Sequence, residues 1–381
     1  MANLDFPRPV STPEAEALRG EVRDFIAAEK PPRAAGAREG WGNFNPEFSG
    51  KLGARGWIGM TWPKRYGGHE RSALERYVVI EELLAASAPV GAHWFADRQF
   101  GPLLLSHGSE EQRETLLPRI ARGECYVSIG LSEPGVGSDL ASVKARATQV
   151  DGGFRLNGTK LWTTKAHSSH YIVVLCRTDG EPADRHTGLS QLLVDFQSPG
   201  VEIRPIIDMT GSHSFNEVLF EDVFVPDAML IGARGNGWKQ VSGEMGNERS
   251  GPDRFLSAFP VLEEMVKAVR EQPSAEGRRA IGRIIAHTAV LRRLSTSIAE
   301  MIRQGQDPTV QGALVKDVGA VLEQEIPQIA RELFALEPSP QAADALSSVV
   351  GLTLLAAPSF SLRGGTREIL RGIIARGLGA R

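Results

Sequence analysis

The sequence predicts an α+β protein in which helices, then a block of β-structure, then helices follow one another along the chain. Three observations predict it. Apolar residues recur at helical spacing before residue 121 and again after Trp238. Between them lie short strand-like runs. Turn signals such as Asp151-Gly152-Gly153 and Asn157-Gly158, rather than helices, separate those runs.

In order, Ser11 or Thr12 caps a first helix with Pro13 in its first turn and Leu18, Val22, Phe25 and Ile26 on one face. A second helix carries Leu74, Tyr77, Val78 and Leu84. A third opens with the capping box Ser109 and Gln112, before Leu116, Leu117 and Ile120. Residues 56–68, rich in Gly and Trp, read as loop. The strand-like runs are 127–131, 145–150, 154–156, 161–164, 171–176, 192–196, 201–207 and 218–225, with Trp162-Thr163-Thr164 closing a hairpin. Strands this short and frequent predict an antiparallel barrel or sandwich rather than a parallel sheet. Helical periodicity then returns, as in Ile281, Ile284, Ile285, Ala289 and Leu291, with breaks at Pro338, Pro340 and Pro358.

Composition excludes several classes. The 381 residues carry 43 Lys and Arg against 46 Asp and Glu, a formal charge of −3, which gives no electrostatic footprint for nucleic acid or a membrane surface. Two cysteines, Cys125 and Cys176, form neither a disulfide framework nor a CxxC pair. No run reaches the ~18 apolar residues of a membrane span, and the first residues lack the features of a signal peptide. The expectation is a cytoplasmic protein in a reducing compartment. Forty-one glycines are many for the length and point to tight turns or close backbone approaches.

Metal binding is not expected. The eight histidines are scattered, and His167 with His170 has no third ligand at a recognisable spacing. There is no GxSxG elbow, P-loop or GxGxxG after a strand. The richest segment is Gly130-Leu131-Ser132-Glu133-Pro134-Gly135-Val136-Gly137-Ser138-Asp139. Its glycines and hydroxyls suit a polar ligand edge or a pyrophosphate, and equally a plain turn capped by Asp139. Trp162 beside Thr163 and Thr164 suits the flank of a flat heteroaromatic ring, and equally a filled core.

Taken together these residues resemble the acyl-CoA dehydrogenase family over nearly the whole chain. Gly101-Pro102, His107 to Gln112, Leu117-Pro118 and Gly123-Glu124 look like the end of its N-terminal helical domain. Leu131 to Asp139 is similar to one signature, and Asn157-Gly158-Thr159-Lys160-Leu161-Trp162-Thr163-Thr164 to a second. Gly364-Gly365-Thr366-Arg367-Glu368-Ile369-Leu370-Arg371 with Ile374-Ala375-Arg376 is similar to a third.

The resemblance implies a helical domain over 1–121, a β-domain over 122–234 and a four-helix-bundle domain over 235–381. It implies FAD lined by Ile129, Leu131, Ser132, Gly137, Ser138, Trp162 and Thr164, with Thr366 and Glu368 reaching it from the C-terminal turn. Ser138 would also face a thioester. The implied reaction removes the α-proton of an acyl-CoA to a carboxylate and the β-hydride to flavin, with electrons passing to an electron-transfer flavoprotein.

Two departures matter. Most members place the base immediately before the Gly-Thr of the third motif, where this chain has Gly364. Some relatives carry it in a Glu-Arg pair early in the C-terminal domain, and Glu248-Arg249 matches, making Glu248 the expected base and Arg249 a charge partner contacting it or the substrate. The stretches near 278–283 and 349–353 also match poorly the motifs through which a neighbouring subunit reaches FAD. A homotetramer or a mixed heterotetramer is therefore expected. An oxidase or monooxygenase on the same fold, and a silent partner subunit, are the competing expectations.

Overall fold

A computed structural model of the chain describes residues 4–9, 12–29 and 40–380. The fold forms two compact units, one built from residues up to 41, 72–89 and 245 onward, the other from 42–71 and 90–244.

The first unit is helical. In α1 (Pro13–Glu29), Thr12 Oγ1 accepts the Ala15 N–H at 3.2 Å, and Ala15, Leu18, Val22 and Phe25 are buried; Ser11 lies outside the described residues. Helix α3 (Ala73–Ala85) starts at a Ser72–Glu75 capping box and packs on α1 and on α8 (Ala275–Arg303). Between these helices the buried Glu81 and Glu82 pair with Arg19, Arg23 and Arg292. Helices α7 (Phe259–Glu271), α8 (Ala275–Arg303), α9 (Thr309–Leu333) and α10 (Ala345–Phe360) form the bundle. In it, α8 lies between α7 and α9, and α10 packs on both α7 and α9. Helix α11 (Arg367–Gly377) lies on α9. Pro338 and Pro340 do separate α9 from α10. Pro358 sits inside α10, which ends two residues later, because proline bends or ends a helix rather than stopping it at its own position.

The second unit holds a seven-stranded sheet: β1 (Val127–Gly130), β2 (Arg146–Val150), β3 (Gly153–Thr164), β4 (Tyr171–Arg177), β5 (Leu189–Asp195), β6 (Val201–Ile206) and β7 (Phe215–Pro226). The order is β1-β4-β2-β3-β7-β6, with β5 on β4. Pairs β2–β3, β3–β7, β6–β7 and β4–β5 are antiparallel, whereas β1 and β2 each pair with β4 in parallel. The parallel pairings depart from the antiparallel expectation. They are possible because the chain makes a long excursion before β4, through β2 and β3 from β1 and through the twelve-residue β3 from β2, as a parallel crossover needs. Phe154, Leu156, Ile172, Val174, Leu192, Val194, Val218 and Phe220 fill the core. Helices α2 (Pro46–Ala54), α4 (Gly101–His107) and α5 (Glu110–Ala121) belong to this unit. The expected capping box of α5 is present, and its Gln112 also donates from Nε2 to the carbonyls of Ala228 and Leu230. Helix α6 (Gly237–Glu248) follows the sheet.

The runs 154–156 and 161–164 are a single strand, not two strands joined by an Asn157-Gly158 turn, and Trp162 closes no hairpin. Instead β3 pairs with β7 throughout and carries two bulges, between Leu156 and Gly158 and between Lys160 and Thr163. A Gly in a strand pattern signals a bulge as well as a turn. Gly158 has φ +142°, and a Cβ there would lie 2.7 Å from Ala145 Cα. Gly158→Ala is therefore expected to cost about 2–4 kcal/mol, from backbone strain plus overpacking. Urea unfolding of the two proteins measures this, and an unchanged midpoint would rule out the bulge as described.

Candidate active site

In the second unit, two segments that are far apart in sequence lie side by side. Residues 129–139 leave β1, and residues 160–164 end β3. Leu161 N–H donates to Ser132 O at 2.9 Å. Ser128 Oγ donates to Thr164 O at 2.8 Å. Lys160 Nζ donates to Leu131 O at 3.0 Å and to Glu133 Oε1 at 2.7 Å. The structure thus brings Leu131 and Ser132 next to the strand of Trp162 and Thr164.

The second β3 bulge turns Trp162 outward. Its φ is +59° and its indole is 57% exposed, edge-on to Phe215 at 5.9 Å. Thr163 is fully buried on the opposite face, and Thr164 is half-buried. Beneath this end of the strand, Asn216 Nδ2 donates to Thr163 O, so its Oδ1 accepts from both His167 Nδ1 (3.1 Å) and His213 Nε2 (2.7 Å), whose rings stack at 3.8 Å. Ile129, Leu131 and Ser132 are half-buried; Gly137 and Ser138 are exposed. Asp139 ends the segment, accepting from Arg185 Nη2 (2.7 Å) and Ser142 Oγ (2.5 Å); the bond from Arg185 is the largest cause holding its carboxyl below the usual range.

The remaining expected residues are in the first unit or at its edge. Glu248 is the last residue of α6; its side chain lies outside the described residues. Arg249 follows it, buried, and donates from Nε to Gly364 O at 2.9 Å. Gly364 and Gly365 have φ of +67° and +100°. A Cβ on Gly364 would meet the Arg254 guanidinium at 3.4 Å, and one on Gly365 would meet Arg249 Nη2 at 3.4 Å. The Gly-Gly turn therefore lies against two buried arginines. Thr366 caps α11, accepting from Ile369 N–H, and the exposed Glu368 stands in the first turn. Its carboxyl lies below the usual range because its own backbone N–H bonds it, with a further bond from the Thr366 hydroxyl.

Comparison with known proteins decides the family. Models of the acyl-CoA dehydrogenase N-terminal, middle and C-terminal domains match residues 12–124, 128–223 and 235–379. The chain belongs to the acyl-CoA dehydrogenase family. It is 31% identical to acyl-CoA dehydrogenase FadE29 of Mycobacterium tuberculosis, over 96% of each protein. It is 35% identical to acyl-CoA dehydrogenase FadE34 of the same organism over 74% of this chain, which spans only 39% of that longer relative. The solved Tcur3481-Tcur3483 steroid ACAD superposes with a TM-score of 0.86 at 28% identity, covering 99% of this chain and 100% of that one. The acyl-CoA dehydrogenases are FAD-dependent oxidoreductases of acyl-CoA thioesters, and this chain is an oxidoreductase of that class.

The residues present fit a flavin. An indole face left in solvent on a strand that otherwise buries its apolar side chains offers a surface for a flat ring. The half-buried hydroxyls of Ser132 and Thr164 and the exposed hydroxyl of Ser138 supply short polar groups around it. Among the described residues no group of three or more His, Cys, Asp or Glu is placed to hold a metal ion, and no helix is long and apolar enough to cross a membrane.

Sequence reading missed the buried charges that build this site. Lys160 and Glu133 were visible only as members of motifs. Arg177 is fully buried with its guanidinium donating to the carbonyls of Val143, Thr187, Ala141 and Arg185. Arg363 donates from Nη2 to Glu323 Oε2 at 2.8 Å and fixes the residue before Gly364. An Arg preceding Gly-Gly, and a Lys in an otherwise apolar-facing strand position, were the available signals.

Neither cysteine belongs to this chemistry. Burial pushes the Cys125 thiol up to about 11 and the Cys176 thiol up to about 12. Both are expected to resist a thiol-exchange reagent in the folded protein at pH 8 and to react after denaturation; rapid titration of either in the native state would contradict the burial. A raised folded pKa also means that the unfolded chain loses its thiol protons first. These thiols' contribution is complete below the ordinary thiol pKa and lost as pH climbs to about 12.

Proposed function

We propose that this chain binds FAD and oxidises the α,β bond of an acyl-CoA, with Glu248 as the base. The observation that supports the base assignment is the bond from Arg249 Nε to Gly364 O. It ties the residue after Glu248 to the very position where most relatives carry the carboxylate. Glycine at 364 cannot accept a proton, and its positive φ disfavours a side chain there. A carboxylate at the end of α6 would then serve the same point from another direction.

In this reading Ile129, Leu131, Ser132, Gly137, Ser138, Trp162 and Thr164 hold the flavin from the sheet, and Thr366 and Glu368 from the start of α11. Bound FAD supplies the acceptor for the β-hydride. The protein's own work is to place the thioester against Ser138, to hold the Glu248 carboxylate at the α-carbon in a dry pocket, and to take the proton there. Arg249 keeps the Gly364–Gly365 turn in place and lies beside the substrate. Gly364 contributes no side chain, which favours a branched or ring-bearing acyl group; the similarity to a steroid ACAD supports the same direction.

Electrons then pass to an electron-transfer flavoprotein. A mixed assembly of two unlike subunits is proposed over a homotetramer, because the trans-acting FAD motifs match poorly at 278–283 and 349–353 and the similar steroid ACAD is named for two polypeptides. Anaerobic addition of an acyl-CoA panel to the purified protein tests the reading through the visible flavin spectrum. Bulky thioesters are expected to bleach it, and Glu248→Gln to slow bleaching by about 10²–10⁴-fold. Normal bleaching by the variant would place the base elsewhere. A preference for short straight chains would overturn the substrate class, and rapid oxygen consumption without an acceptor would favour an oxidase.

A further inference from the structure

Lys160 is fully buried, and the Glu133 side chain facing it is 4% exposed. A buried ion pair is a weak source of stability, since desolvating both charges consumes most of their attraction, and apolar residues of similar volume often serve as well. What apolar residues cannot do is make the directional bonds seen here. Lys160 Nζ donates to Leu131 O and Glu133 Oε1. The two Glu133 oxygens also accept the N–H groups of Ala145 (2.9 Å) and Lys144 (2.6 Å). The pair thus spans three pieces of chain: the end of β3 just before Trp162, the loop that carries Ser132 and Ser138, and the start of β2.

The surroundings are shaped for it. Gly130 lies beneath the lysine stem, where a Cβ would come 3.1 Å from Lys160 Cγ and 2.8 Å from Ile172 Cδ1. A main-chain ladder bond, Leu161 N–H to Ser132 O, runs alongside. Glu133 and Val136 close the loop on themselves with reciprocal N–H···O bonds of 2.9 Å. Burial lowers the lysine's proton affinity, and Glu133 opposes that.

We infer that Lys160 and Glu133 are positioning residues for the flavin: a buried ionic strut that fixes the Ser132–Ser138 loop at a set distance from the Trp162–Thr164 strand end. The inference rests on the flavin reading of those two segments. Its effect is on cofactor binding, since both side chains are buried and bonded to the protein itself.

The test compares wild type with Lys160→Met, Glu133→Gln and the neutral double variant, each stripped of flavin and retitrated with FAD. Thermal unfolding of each apoprotein is measured in parallel. The double variant removes both charges, so it stays foldable even if Glu133→Gln, which strands a buried ammonium, does not. A folded double variant is expected to bind FAD at least tenfold more weakly and to lose the resolved shoulder of the bound flavin's visible band. Variants that unfold at lower temperature yet bind FAD with wild-type affinity and spectrum would overturn the inference and leave the pair purely structural. Wild-type protein that takes up no FAD would overturn the flavin reading itself, and the inference with it.

Discussion

An ammonium group with no exposed surface is the constraint on which the sheet end depends. Lys160 can stay charged there only because Glu133 and a main-chain carbonyl meet it, and Glu133 can do so only because the loop after β1 folds back to β2. The same closure sets Leu131 and Ser132 beside the strand that turns Trp162 outward. Loop, bulge and exposed indole are therefore one arrangement. Each would be strained or exposed without reason if the others were absent.

The first unit repeats the logic with arginine. Arg249 and Arg254 lie against two successive glycines in left-handed conformation, and Arg363, anchored on the buried Glu323, fixes the residue before them. Guanidinium groups suit this work because their fork of N–H donors can satisfy several carbonyls at once. A turn held so firmly has no need of a side chain at Gly364, and in the proposed reaction the carboxylate comes instead from the end of α6.

Much of this was legible in the sequence. The helix–β–helix order and the Ser109–Gln112 capping box could be read from spacing and residue type, because caps and amphipathic periods are local, whereas the three signature segments stood out only by their resemblance to the family. The bulges were not. Asn157-Gly158 carries the same composition whether it turns a hairpin or offsets a register, and only the pairing with β7 decides. The parallel pairing of β1 with β4 was hidden for a similar reason, since it joins segments more than forty residues apart. Buried Lys160, Arg177 and Glu323 were hidden because a charged residue reads as solvent-facing until its partners, remote in sequence, are known.

In the proposed reaction the α-proton is taken from the end of α6 and not from the Gly364 turn. Deuterium uptake at C2 of a bulky acyl-CoA incubated with flavin-loaded enzyme in D2O reports that step alone, independent of any electron acceptor. Exchange is expected with the wild type, and a loss of at least a hundredfold of it in Glu248→Gln, with FAD content unchanged. Exchange at the wild-type rate in that variant would contradict it.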